Sequence, residues 1–319
     1  MERWTRFVLR QRWPILAVWL VVLVAGFVAN MRLGPLLSNE FRVPGTDSER
    51  VRTILTEHFG DRSDGNFLVV ARVADASDPG VRGRLEAAMR RAAADVPSAH
   101  ADRLVPAGKH VLFGNITSTL DIVGAKKWTK TVRADVDHVA GAQVYVSGVA
   151  ALQADIDPIF KQDLTLGEGI AAPVAVLVLL LVLGISFAVF IPFLFALSAI
   201  FATLGVVYLL AHEMSMASYV VNLVFLIGLG IAIDYSLLVV YRFREEIRVD
   251  GDKDEAVVRT MATAGRAVVF SGATVAIGLA LLIAMPLPFM RSMGIGGFLI
   301  PLFSVVAALT VQPALLSLF

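Results

Sequence analysis

Asp234 is the sole ionisable acid in the apolar run Gly228-Leu229-Gly230-Ile231-Ala232-Ile233-Asp234-Tyr235-Ser236, and this is where the sequence offers chemistry most directly. A charged carboxylate facing hydrocarbon costs at least a few kcal/mol, and such residues commonly mark ion or proton pathways. Desolvation favours the protonated form, so a proton could bind and leave at working pH. Counted from Tyr241 at the polar edge, Asp234 lies about 10 Å deep at the helical rise, which predicts that it faces a bundle interior. Tyr235 adds a phenolic hydroxyl but points about 100° further around the helix, so the two side chains should meet different neighbours. The plainer alternatives are a static buried hydrogen-bonding acid and a packing aromatic.

Around this pair, Gly228, Gly230 and Ala232 are small residues at a spacing that permits close helix approach. Ser271 and Thr274, in the next apolar segment, are candidate polar neighbours, though such hydroxyls often bond carbonyls one turn back. Other chemistries find little footing. The five histidines, His58, His100, His110, His138 and His212, show no metal-ligand spacing. No phosphate-binding G-x-x-x-x-G-K-[ST] loop is present, so this chain supplies no ATP-driven motor, and no cofactor is implied. With no cysteine there is neither a disulfide framework nor a thiolate nucleophile, and a membrane-embedded hydrolase lacks a nucleophile-base constellation.

The elements that must hold Asp234 are membrane spans. The chain of 319 residues is 57% hydrophobic and only 17% charged, with a mean hydropathy of +0.73, too apolar for an ordinary water-soluble protein. Its net charge of +1 argues for neither nucleic acid nor an acidic soluble partner. Six stretches are long enough to cross a bilayer: 13–31, 171–190, 192–211, 219–241, 267–285 and 293–317. The first follows Arg3, Arg6, Arg10 and Arg12 without an A-x-A-like cleavage site, and reads as an uncleaved anchor. The main polar link between spans carries Arg242, Arg244, Arg248, Lys253, Arg259 and Arg266, which places 242–266 in the cytoplasm. Counting crossings from a cytoplasmic amino terminus (1–12, then a first span over 13–33) gives the same answer. It puts 34–169 outside, and 170–319 forms spans two to six.

The exported segment reads as a separate α+β domain. Residues 66–73 (NFLVVARV) form a strand, Val81, Leu85, Ala88, Met89, Ala92 and Val96 recur at helical spacing, and 111–117 is a second strand. A helix marked by Ala125, Trp128, Val132, Val136 and Val139 and a strand at 143–147 follow. With a weak strand at 102–105, the order is β-α-β-β-α-β, the ferredoxin-like split pattern. Upstream, Pro44-Gly45 makes a turn and Thr46 to Glu49 fits a helix capping box.

The run from Gly228 to Tyr235, followed by Tyr241-Arg242-Phe243-Arg244-Glu245-Glu246, resembles the MMPL branch of the RND transporter superfamily. Val43-Pro44-Gly45-Thr46-Asp47-Ser48, Val146-Ser147-Gly148-Val149-Ala150-Ala151 with Asp155, and Gln312-Pro313-Ala314-Leu315-Leu316 extend the likeness through the chain. The resemblance implies a six-helix RND-type bundle with a ferredoxin-like porter domain between helices 1 and 2, in a bacterial inner membrane. It also implies proton-driven export of lipids or hydrophobic drugs, with Asp234 and Tyr235 as the proton relay. Family chains usually have two similar halves, each relay pair facing its counterpart, and this chain matches the amino-terminal half. A second six-helix half, in the same polypeptide or from a second copy, is therefore an expected partner, with protons and an apolar substrate. The rival expectation is a lipid sensor or assembly scaffold of the sterol-sensing type, in which Asp234 is structural.

Overall fold

The computed structural model describes residues 1–37, 43, 45–59, 65–184 and 189–318. In chain order the helices and strands begin with α1 (Glu2–Arg10), α2 (Arg12–Leu33), α3 (Asp47–Phe59), β1 (Phe67–Val73) and α4 (Pro79–Asp95). Next come β2 (His100–Ala101), β3 (Val105–Pro106), β4 (Val111–Thr117), α5 (Ile122–Lys126), α6 (Thr129–Asp137) and β5 (Ala142–Ser147). The remainder is helical: α7 (Val149–Leu183), α8 (Phe190–Glu213), α9 (Tyr219–Asp250), α10 (Lys253–Ala280) and α11 (Pro288–Leu316). The chain divides into two compact units, Pro44–Thr165 and the remainder, Met1–Val43 with Leu166–Phe319.

The α+β unit is built on one antiparallel sheet of order β2-β4-β1-β5, with β3 also on β4. Alternation does the work on β1, where Phe67, Val69, Ala71 and Val73 are buried and the residues between them are not. The buried face receives Leu85, Met89 and Ala92 of α4 and Val132 and Val136 of α6. Asp78 caps α4, accepting from Gly80 and Val81 amides at 2.7 and 3.4 Å, with Pro79 in the first turn. In place of the expected strand at 102–105 there are two short strands, one ending at Ala101 and one beginning at Val105, with Leu104, 1% exposed, in the core between them. Gly148 ends the sheet at φ +108, where a Cβ would stand 2.5 Å from the Asn66 carbonyl oxygen, so only glycine fits. Residue Pro44 of the expected turn lies outside the described residues; Thr46 Oγ1 stands 3.0 Å from Ser48 Oγ, and Glu49 pairs with Arg52 at 2.7 Å.

In the helical unit, five helices among the described residues are long and apolar enough to cross a membrane: Arg12–Leu36, Phe190–Glu213, Tyr219–Val249, Lys253–Ala284 and Pro288–Leu316. The further span expected at 171–190 begins inside α7, which is helical to Leu183, and its residues 185–188 lie outside the described residues. Close packing rests on glycine: at Gly26 of α2 a Cβ would stand 1.9 Å from the Phe201 carbonyl oxygen of α8, backbone that cannot yield. Residues 242–266 are helical on both sides of a tight turn in which Gly251 takes φ +72 and Asp252 caps α10. Glu246 gathers their charges, pairing with Arg242 one turn back in α9 at 2.6 Å and across the turn with Arg259 of α10 at 2.9 Å.

Proline placement explains how α1 is tied down. Pro313 has no amide hydrogen to give the Leu309 carbonyl one turn back, and Trp4 Nε1 of α1 donates to that carbonyl at 3.0 Å. One helix further on, Trp19 Nε1 donates to Thr310 Oγ1 at 3.0 Å.

Candidate functional site

Three consecutive residues of α9 point in three directions. Asp234 lies on the exposed face, in a stripe with Leu226, Gly230, Leu238 and Tyr241. Tyr235, 4% exposed, turns toward α10, and Ser236, fully buried, turns toward α11. The expectation that Asp234 faces the interior of this bundle is thus not met. Ala232, Tyr235, Ser236, Val239, Val240 and Phe243 occupy the inward side of α9, and the helical repeat carries position 234 outward. Among the described residues, Asp234 has no hydrogen-bond or ion-pair partner.

Tyr235 has a built environment. Its hydroxyl donates to Ser271 Oγ of α10 at 3.3 Å. Gly272 makes room for the ring: a Cβ there would come 3.4 Å from the phenolic oxygen and 2.2 Å from Val305. Ser271 is exposed, so this polar contact sits at the rim between the inward and outward faces of α9 and α10. Thr274, also exposed, donates to the Phe270 carbonyl at 2.8 Å and has turned to its own backbone.

The three small residues divide by face. At Gly228 a Cβ would meet Ile200 at 2.7 Å and Ile300 at 2.9 Å, so this glycine lets α8 and α11 close on α9. Ala232 is fully buried four residues on. Gly230 has open space around it and leaves the outer stripe flat beside Asp234.

Ser236 and Gln312 complete the site and are harder to see in sequence. The Gln312 amide Nε2 donates to the Ser236 carbonyl at 3.2 Å and to Ser236 Oγ at 3.0 Å, with both residues fully buried. A lone glutamine before Pro313 in an apolar helix is the signal that points to it, because an amide in hydrocarbon must find a partner. Of the relay candidates Tyr235 is tied to Ser271 of α10 and Asp234 is open, while their neighbour Ser236 is tied to Gln312 of α11.

Beside α2 and α8 lies an apolar groove of about 630 Å³, lined by Gly26, Ala29, Phe201, Gly205, Leu209 and Phe303 among others. Its size falls within the ordinary range of small-molecule sites.

In the α+β unit, Arg133 of α6 grips Asp155 of α7 through two hydrogen bonds of 2.6 and 2.7 Å and reaches the Val146 carbonyl at 3.4 Å. These bonds hold the Asp155 carboxyl below the usual carboxylate range. Lys126 and Asp157 pair alongside. Asp135 is shifted the other way: burial raises it, the neighbouring Asp95 adds to the rise, and one of its oxygens is buried without a partner.

Comparison with known proteins places these features in a family. The MMPL family model matches residues 64–319. A mycolic acid-containing lipids exporter, MmpL11 of Mycolicibacterium smegmatis, is 32% identical over 100% of this chain and 35% of its own length. A putative membrane protein of Streptomyces coelicolor is 32% identical over 97% of this chain and 45% of its own length. MmpL11 of Mycobacterium tuberculosis, named a heme uptake protein, is 31% identical over 100% of this chain and 34% of its own. The chain thus spans less than half the length of these curated relatives.

Proposed function

The chain belongs to the MMPL family, and from that premise we propose that it is one half of a proton-driven transporter of lipids or other hydrophobic molecules. The observation that carries this reading is Asp234: an acid in the middle of an apolar helix, exposed on the outer face of its bundle and without a partner among the described residues. A carboxylate left against lipid would cost about 2.5–3.5 kcal/mol or more, so the stripe of Leu226, Gly230, Asp234 and Leu238 calls for a cover. A second six-helix half meets that need, supplied by a longer polypeptide or by a second copy. The names of the relatives, exporters of mycolic lipids among them, support the substrate class.

Protonation of Asp234 removes its charge and with it the electrostatic reason for holding α9 against a polar partner. Because Tyr235 is tied to α10 and Ser236 to α11, a shift of α9 at this level draws both neighbours along. Alternation between the two positions, driven by proton entry and release, is the coupling step. The transporter is a secondary active one, with the amino terminus in the cytoplasm and the α+β unit outside. That orientation is supported by the arginines of α1 and of the α9–α10 turn. The α+β unit is a porter domain of ferredoxin-like class, a reading supported by its antiparallel order β2-β4-β1-β5.

The test is transport of a labelled lipid in proteoliposomes that contain the chain with its covering half, under an imposed proton gradient. Asp234→Asn should reduce gradient-driven transport to background while leaving insertion and thermal stability intact. Undiminished transport by that variant refutes the reading. Loss of stability without any proton flux in the parent protein supports the sensor or scaffold alternative instead.

A further inference from the structure

Beyond transport, we propose that a basic pocket formed by α1, the start of α2 and the first turns of α10 holds the phosphate of an anionic membrane lipid. The pocket, about 410 Å³, is lined by Arg6 and Arg10 of α1, Arg12 and Trp13 of α2, and Asp254 of α10, among others. Arg6 is engaged by Glu255 at 3.0 Å. Arg10 and Arg12 have no hydrogen-bond or ion-pair partner among the described residues, so two guanidinium groups stand against the single carboxylate of Asp254. Forked guanidinium donors match phosphate oxygens in geometry as well as charge.

The site is held in place rather than draped. Thr5 and Val8 of α1 are 1% and 0% exposed against the bundle, and the Trp4 indole is fastened to the carbonyl that Pro313 leaves free. Trp4 and Phe7 of α1 are nonetheless 47% and 52% exposed with ring centroids 5.7 Å apart, and Trp13 beside the pocket is 65% exposed. Amphipathic rings beside arginines, at the point where α2 turns apolar, are the chemistry of a bilayer interface. That position selects a lipid headgroup over a free phosphate in solution. Basic pockets at the ends of membrane helices retain anionic lipids in the same manner.

The experiment is native mass spectrometry of the full chain in detergent, titrated with phosphatidylglycerol and, separately, phosphatidylcholine. Two unpaired arginines at roughly fivefold each predict about a twenty-five-fold preference for phosphatidylglycerol, lost in the Arg10→Ala/Arg12→Ala double variant and kept in Arg91→Ala of the α+β unit. Equal retention of the two lipids, or a preference that survives the double variant, overturns the proposal. Displacement of the lipid by excess inorganic phosphate would assign the pocket to a soluble anion and also overturns it. A second measurement leaves α1 unaltered: brominated phosphatidylglycerol should quench tryptophan emission of the parent protein more strongly than brominated phosphatidylcholine. Equal quenching counts against the site.

Discussion

The two units solve opposite solvation problems. In the α+β unit the interior is apolar, led by Phe67, Leu85, Met89, Leu112 and Ile116, and the charges pair at the rim, Arg133 with Asp155 and Lys126 with Asp157. In the helical unit large apolar side chains lie on both sides, Phe195 and Leu204 fully buried but Phe270 71% and Ile277 65% exposed, while Ser236, Thr203, Ser304 and Gln312 are fully buried. An outward position therefore means contact with water in one unit and contact with hydrocarbon or another protein surface in the other. Asp234 is exposed by the geometry of the first kind of protein and stranded by the solvent of the second.

The largest effects should come from the glycines on which each unit closes. Gly26→Leu drives a side chain into the Phe201 backbone and should cost about 3 kcal/mol or more, seen as loss of a cooperative melt in detergent. Gly278→Leu, with open space around it, should melt like the parent. Gly148→Ala, strained both by φ +108 and by the Asn66 carbonyl, should speed hydrogen exchange in β1 and β5 without loosening α8 or α9. Equal exchange changes in both units would erase the contrast between them.

Tyr235→Phe removes one 3.3 Å hydrogen bond at a rim and should cost under about 1 kcal/mol of stability. Its effect on gradient-driven transport should be far larger than on melting, whereas a purely packing tyrosine would leave both unchanged.

The smallest effects lie in the pH response of the α+β unit. Asp155 is held below its ordinary range, so its stabilising contribution is complete above the unfolded carboxylate range, about 3.9, and fades as pH falls through the lower folded value. Asp135 is raised, so its ionisation weighs against the fold at neutral pH and that penalty lifts on acidification. Asp135→Asn should slow exchange in α6 at neutral pH by about twofold to fivefold and have no effect once the parent carboxyl is protonated. Asp155→Asn should speed exchange at neutral pH, and the difference should vanish in strong acid.

How much of this was legible in the sequence differs between the two units for the same physical reason. The β-branched and apolar run at 66–73 points to β1 and the helical spacing from Val81 to Val96 to α4, a spacing that survives because water lies on one side of that helix. The strand near 102–105 was blurred by Leu104, whose burial is set by tertiary contact. In the membrane unit the apolar runs announced the helices but not their phase, since a helix that is apolar all round carries no sidedness. Asp234 is expected inward from the cost of a charge against lipid alone and lies outward, and the Ser236–Gln312 contact joins two distant segments of which only the lone glutamine is a local signal. Gly228 was readable as a packing residue, while Gly230, identical in type, faces open space.

The most direct test is infrared difference spectroscopy of Asp234 in the assembled protein, its band assigned by loss in Asp234→Asn. The proton-relay reading predicts that this carboxyl changes its protonation when a proton gradient is imposed. A carboxyl band that the gradient leaves unaltered contradicts it.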